Sequence, residues 1–267
     1  MREFRPEDEP RRLLDLGRRL TDECPDYVMW KNVDTAMAGA GDIDSILPEH
    51  HWPTAQDVFR AWALETGYTA VLECGHLPGS LLVVGASRSF SLLRELHLSR
   101  SVTFRGAEII RAGDVSRLAY VDNYGLRRLR PGAEGFFVFL LNGAGYFGRK
   151  SARSPKTERA HWLMTRDPDG AKLAASLFGD AQRHALMAAR AAATGEAPGQ
   201  AFRRLEFYAV RRALTHPLFL TRRASFRAVH NRRCVVAHAL SNGRKVPAHW
   251  SFDAWVTAAQ RSHGRAV

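Results

Sequence analysis

The pattern of apolar and polar positions changes near residue 148. Before that point, segments with the strand period of two alternate with segments at helical spacing. After it, an Ala/Leu-rich run over 161–193 and an amphipathic run over 201–213 both indicate helices. The pattern predicts an α+β protein with two domains, one over 1–148 and a mainly helical C-terminal domain over 149–267.

The same pattern predicts individual elements in the first domain. Leucines at helical spacing and Pro or Gly breaks set the helices, and short alternating or β-prone runs set the strands. Residues 149–159 are basic and polar, which is typical of a linker or an exposed loop. Helices are predicted over 11–23, 34–38, 54–66, 114–120 and 134–142, and strands over 27–30, 42–47, 69–73, 80–84 and 92–104.

Composition and charge narrow the class of protein. A hydrophobic fraction of 45% and a charged fraction of 25% exclude a mostly disordered chain. The chain has 39 Lys and Arg against 27 Asp and Glu, a net charge of +12, which is compatible with a polyanion or a phosphorylated small molecule as partner. It is equally compatible with the general basicity of an Arg-rich proteome.

The small number of cysteines and the short apolar runs predict the cellular compartment. Its three cysteines, Cys24, Cys74 and Cys234, are too few and too scattered for a disulfide framework, which favours a reducing cytoplasm. The first residues show no apolar signal-peptide core, and the longest apolar run has six residues. We therefore expect a cytoplasmic protein with no membrane partner.

Two acidic residues stand two positions apart on a predicted strand. Asp42 and Asp44 follow Gly41, and side chains at i and i+2 of a strand point to the same face, which we expect to be exposed. Both can then reach one or two hard divalent cations, and Mg²⁺ prefers such carboxylate oxygens. In two-metal nucleotidyl transfer, one ion activates the attacking oxygen and the other stabilises the leaving pyrophosphate.

A third carboxylate is expected from a neighbouring strand. Glu95 is favoured over Glu73, because its alternating strand also carries His97 and Ser99 on the same polar face. The competing interpretation is a surface acid paired with Arg94 or Arg100. His97 lies on the face of Glu95 and is interpreted either as a structural strand histidine or as a catalytic base.

These motifs resemble the polymerase-β-like nucleotidyltransferase superfamily. The similarity is closer to a bacterial branch with a Lys at the end of the first strand, a Gly-Asp-Ile-Asp strand shortly after it and an acid-Leu-His strand later. Lys31, the run from Gly41 to Asp44, and the run Arg94-Glu95-Leu96-His97-Leu98 stand at those positions. The resemblance covers roughly residues 12–145.

The resemblance implies a mixed sheet flanked by helices, Mg²⁺ or Mn²⁺ bound by Asp42, Asp44 and Glu95, and an NTP as co-substrate. The chain departs from the superfamily in two respects. Lys31-Asn32 replaces the usual Gly-Ser that holds the β- and γ-phosphates, and the third acid is Glu instead of the commoner Asp. Lys31, Asn32 and Gly41 are the expected nucleotide-binding residues, with the Lys31 ammonium and the Asn32 amide on the phosphates.

Three functions follow from this interpretation. The first is transfer of NMP from an NTP to a hydroxyl or phosphate of a small-molecule acceptor, such as a sugar or a specialised metabolite. The second is nucleotidyl transfer to RNA, as in a toxin that modifies tRNA ends, which the +12 charge favours. The third is a nucleotide-binding relative without turnover.

Weaker motifs remain as alternatives. Arginine pairs recur about every ten residues from 203 to 233 with aromatic residues between them, which is compatible with RNA binding or with a solvated helical face. Three segments have incomplete metal or phosphate patterns. They are the run Glu49-His50-His51, the set His230, Cys234 and His238, and residues 241–245.

Overall fold

Seven strands form one mixed sheet with helices on both faces. A computed structural model describes residues 8–68, 70–77, 79–87, 93–104, 107–140, 155–194 and 199–230. The strands are β1 (Val28–Lys31), β2 (Ile43–Ile46), β3 (Ala70–Leu77), β4 (Ser80–Ala86), β5 (Leu93–Ser99), β6 (Ser101–Phe104), β7 (Ala107–Arg111), β8 (Ala119–Val121) and β9 (Arg127–Leu129). The helices are α1 (Glu9–Glu23), α2 (Val33–Met37), α3 (Trp52–Glu65), α4 (Ala112–Ser116), α5 (Pro131–Val138), α6 (Pro155–Arg166), α7 (Pro168–Ser176), α8 (Gln182–Thr194), α9 (Gly199–Thr215) and α10 (Pro217–His230).

The order of strands in the sheet is β3-β4-β5-β2-β1-β9-β8, and β6 and β7 form a separate hairpin. β1 pairs antiparallel with β2, whereas β2 pairs parallel with β5 and β1 pairs parallel with β9. The sheet is thus mixed, and the strand that carries Glu95 lies directly beside the strand that carries Asp44.

One face of the sheet packs against α1 and α3. α1 begins next to Pro10 and buries Leu13, Leu16 and Leu20 completely, as their helical spacing predicts. On the sheet side, Ile43 and Leu96 lie in the same buried cluster. This burial gives each central strand one apolar face.

The opposite face is covered in part by the helices that follow the sheet. A second buried cluster joins Val28 and Ile46 of the sheet to α5, to the β6–β7 hairpin and to helices α6–α9. Phe178 has no exposed surface, and its ring lies 5.8 Å from that of Phe136 and 6.1 Å from that of Tyr208. The described residues on both sides of position 148 thus share one apolar core.

The predicted α+β class is confirmed, with a sheet flanked by helices and a helical C-terminal part. The predicted division into two domains stays a prediction, since residues 141–154 lie outside the described part of the chain. No helix among the described residues combines the length and the apolar character that crossing a membrane requires.

Several element boundaries differ from the prediction. The helix expected over 114–120 ends at Ser116, because Ala119–Val121 pairs with β9, and the helix expected over 134–142 begins at Pro131. The strand expected over 92–104 divides at Arg100. The Arg100 N–H donates to the Gly79 carbonyl, and the Arg100 carbonyl accepts from the Ala112 N–H. In the basic segment 149–159, residues from Pro155 onward belong to α6.

The apolar core that the sheet shares with the C-terminal helices predicts cooperative unfolding of the two parts. We expect Phe178→Ala to lower the free energy of unfolding by about 3–5 kcal/mol. Hydrogen-exchange mass spectrometry should show protection lost together in the sheet and in α7–α9. Leu173→Ala, at an exposed position on α7, is the matched control with little effect. Unchanged protection in the sheet of the Phe178 variant would contradict a shared core.

Candidate functional site

Polar side chains meet where β2 begins and β5 runs beside it. The parallel register pairs Ile43 with Leu96 and Asp44 with His97. Asp42, immediately before β2, is therefore beside Glu95. The structure brings all three predicted carboxylates to the sheet face opposite α1 and α3, as the alternation of β5 predicts.

Glu95 and Asp42 form a carboxyl pair. Burial raises the pKa of Glu95 to about 7, and the charge of Asp42 and a side-chain hydrogen bond with Asp42 add to this increase. Asp44 raises the pKa further, whereas His97 lowers it. A carboxyl group can donate a hydrogen bond to a carboxylate only while it carries a proton, and a pKa of about 7 lets Glu95 keep that proton up to near neutral pH.

Asp44 is buried and its charge is compensated. Its side chain is 8% exposed, and Oδ1 lies 3.1 Å from the Lys31 ammonium and 3.2 Å from His97 Nδ1. Lys31 is opposite Asp44 in the β1–β2 register, and its ammonium also lies 5.2 Å from the centre of the Trp30 ring. The prediction placed Asp44 on an exposed face, and this was wrong, because Lys31 and His97 lie against the carboxylate.

His97 connects Asp44 to a residue that the sequence interpretation did not include. The Ser80 hydroxyl is hydrogen-bonded to His97 Nε2, while His97 Nδ1 faces Asp44. Ser80 is the first residue of β4 and is followed by an apolar run. Only the hairpin pairing of β4 with β5 brings it to His97, so nothing in its local sequence marks it.

The backbone amide of Asn32 is occupied by a protein carboxylate. Asn32 has a left-handed conformation, with φ of 55°, and its N–H donates to Glu134 Oε1 at 3.0 Å. Glu134 is 1% exposed and also contacts Arg128 at 3.3 Å and Arg159 at 3.2 Å. This cluster fixes the turn that follows Lys31, and it was missed because its members lie far apart in sequence.

Burial raises the pKa of Glu134, and the charges of Arg128 and Arg159 act in the opposite direction. Both arginines also contact Asp34 on α2, at 2.6 and 2.7 Å. Three elements, α2, α5 and α6, are thereby joined next to the end of β1.

Gly41 positions Asp42 through its backbone. Its φ of +107° is one that side-chain-bearing residues rarely adopt, and no atom lies within 4 Å of the position of a Cβ. The glycine is therefore required for the turn into β2, and close packing does not explain it.

The alternative acids and partners lie elsewhere. Glu73 pairs with Val83, which pairs with Leu96, so Glu73 faces α3 and forms an ion pair with Arg60 there. Arg94 forms an ion pair with Glu9. Arg100 contacts Glu49 and Glu108, so neither arginine neighbouring Glu95 in sequence is its partner here.

The donor chemistry of the site suits a hard cation. Mg²⁺ is commonly bound through one or two carboxylates together with water and substrate phosphates, and Asp42 and Glu95 supply such a pair. No group of three or more His, Cys, Asp or Glu side chains able to hold a metal ion occurs among the described residues. The three-carboxylate metal site thus stays a prediction.

The weaker motifs give no second site in the described residues. The run Glu49-His50-His51 forms a 3₁₀ turn in which the two imidazole rings lie 4.1 Å apart, and His51 faces Asp26 at 3.7 Å. Cys234, His238 and residues 241–245 lie outside the described residues.

Comparison of the chain with models of protein families, with curated proteins and with solved structures found no match. The family interpretation therefore depends on the motifs of the sequence and on the placement of their side chains.

The carboxyl pair predicts a pH-dependent stability. A folded-state pKa of about 7, above the ordinary 4.5, contributes stability that is present below pH 4.5 and is lost as the pH rises towards 7. We expect Glu95→Gln to abolish this loss. At pH 8 the free energy of unfolding of the variant should exceed that of the wild type by on the order of 1–2 kcal/mol. Urea unfolding in EDTA at pH 5 and pH 8 measures the difference. Asp169→Asn, an exposed acid on α7, is the control, and a pH-independent difference for Glu95→Gln would contradict the shared proton.

Asp42 and Asp44 should differ in their contribution to stability. Asp44→Asn removes a buried charge that compensates Lys31 and bonds His97, so we expect a loss of about 1–3 kcal/mol in metal-free buffer. Asp42→Asn, at an exposed position, removes repulsion and should be neutral or stabilising. Thermal unfolding in EDTA distinguishes them, and equal melting temperatures would show that the contacts of Asp44 contribute little.

Proposed function

We propose that the protein is a metal-dependent nucleotidyltransferase that transfers NMP from an NTP to a hydroxyl or phosphate of a small-molecule acceptor. The observation that supports this most directly is the pairing of Asp42 with Glu95 across two neighbouring chain segments, with Asp44 on the same face of the sheet. Burial raises the pKa of Glu95, the negative charges of Asp42 and Asp44 raise it further, and a divalent cation would relieve that repulsion.

Asp42 and Glu95 would hold Mg²⁺ or Mn²⁺, with Asp44 beside them. The cation supplies charge neutralisation for the triphosphate and activation of the attacking oxygen. Glu95 must lose the proton that it shares with Asp42 before both carboxylates can act as ligands. Turnover should therefore increase as the pH rises through about 7 in the range where binding of the cation is limiting.

Lys31 is the residue whose side chain we propose to bind the phosphates of the NTP. In the present arrangement its ammonium lies 3.1 Å from Asp44 Oδ1, and its side chain is 22% exposed. The Asn32 amide N–H bonds Glu134, which leaves phosphate binding at this turn to side chains. This arrangement is compatible with phosphate binding without the Gly-Ser of the superfamily.

RNA is the second candidate acceptor. Arg203, Arg204 and Arg211 on α9 and Arg222 on α10 are exposed, and the neighbouring Phe207 is 67% exposed. Exposed arginines with an exposed aromatic ring suit phosphate contacts and base stacking.

The test is transfer of label from α-³²P-NTP in the presence of Mg²⁺, with a metabolite extract and total RNA as separate acceptors. We expect Asp42→Asn and Glu95→Gln each to reduce transfer by at least 100-fold, while Asp169→Asn retains it. Lys31→Ala should mainly raise the KM for NTP.

Transfer of label to RNA that weakens steeply with salt would select RNA as the acceptor. Equal transfer by wild type and Glu95→Gln would refute the assignment, and nucleotide binding without release of pyrophosphate would indicate a relative without turnover.

A further inference from the structure

Ser80, His97 and Asp44 form a continuous chain of hydrogen bonds across three neighbouring strands. The Ser80 hydroxyl contacts His97 Nε2, and His97 Nδ1 lies 3.2 Å from Asp44 Oδ1. A serine, a base and an orienting acid in this order are the elements of an activated nucleophile. We infer that Ser80 is a nucleophilic serine that accepts an acyl group from an activated ester, in a reaction distinct from nucleotidyl transfer.

The sheet holds the three residues in fixed relative positions. Asp44 is directly opposite His97 in the β2–β5 register, and His97 is opposite Leu82, two residues from Ser80 on β4. All three side chains therefore lie on one face. Each of the three residues belongs to a strand that is paired with a neighbour on both sides. The backbone of the sheet therefore sets the relative positions of the three side chains, and no loop is involved.

The charges of the chain suit this chemistry. Asp44 is 8% exposed, and its Oδ1 lies between the Lys31 ammonium at 3.1 Å and His97 Nδ1 at 3.2 Å, so the ion pair with Lys31 holds the carboxylate in place against the imidazole. The His97 side chain is 26% exposed, and Ser80 is 9% exposed. His97 is thus the most exposed member of the hydrogen-bond chain.

The chemical step is balanced without a cofactor. The Ser80 Oγ attacks the ester carbonyl, its proton passes to His97 Nε2, and the Asp44 carboxylate stabilises the imidazolium through Nδ1–H. The C–O bond to the leaving alcohol breaks, and the alcohol takes the proton from His97. Water then attacks the acyl-Ser80 by the reverse proton transfers and releases the acid.

Ser80 itself lies apart from the carboxyl pair. Ser80 is opposite Ser99, whereas Asp42 lies beside Glu95, four residues earlier on β5. At about 3.3 Å per residue this is roughly 13 Å along the strand, with His97 between the two places. An acyl group on Ser80 therefore does not require a cation at Asp42 and Glu95.

The test uses a fluorophosphonate probe on the full-length protein in EDTA. The probe phosphonylates an activated serine: the Oγ–P bond forms, the P–F bond breaks, and fluoride and a proton leave. We expect labelling that peptide mapping assigns to Ser80, a loss of at least 100-fold in Ser80→Ala, and a comparable loss in rate for His97→Ala. Ser101→Ala is the matched control, since Ser101 is also 9% exposed, and it should label like the wild type.

The result that overturns the inference is a folded wild type that does not label, or a Ser80→Ala variant that labels normally. Either would show that the three residues form a structural hydrogen-bond chain only. Melting curves verify that each variant is folded, and the slower histidine variant separates a base from a packing residue. Because the assay contains EDTA and no NTP, its failure leaves the proposed nucleotidyl transfer untouched, and the reverse also holds.

Discussion

The candidate site depends on the parallel pairing of β2 with β5. This register places Asp44 opposite His97, 53 positions later in the sequence, and brings Asp42 beside Glu95. A shift of one residue would turn every side chain of one strand to the other face. Apolar burial of Ile43 and Leu96 against α1 and α3 opposes such a shift, so the core on one face fixes the chemistry on the other.

Burial determines how each acid behaves. Asp44 is enclosed and has two cationic or hydrogen-bonding neighbours, so its charge is tolerated inside the sheet. Glu95 has no such compensation of comparable strength and shares a proton with exposed Asp42. The surroundings of the two acids thus differ, because Asp44 faces an ammonium and an imidazole whereas Glu95 faces a carboxyl group.

A second polar cluster links the site to the C-terminal helices. Glu134 on α5 holds the turn after Lys31, while Arg128 and Arg159 join Glu134 to Asp34. Since Arg159 belongs to α6, the packing of the C-terminal part reaches the end of β1 through these ion pairs and through the shared core. The helical region therefore stabilises the backbone at the end of β1, next to the site.

Sequence periodicity determined the class of the fold and the polar face of β5, because alternation and helical spacing are local properties of a chain. It also predicted Asp42 and Asp44 as site residues and favoured Glu95 over Glu73 as the third acid, because these residues stand in a local pattern. The tertiary structure decided which of two acids joins them: Glu73 alternates onto the face of α3, whereas Glu95 faces Asp42. It alone revealed the Ser80 contact, the burial of Asp44 and the Glu134 cluster, because each depends on strand or helix pairing between segments distant in sequence.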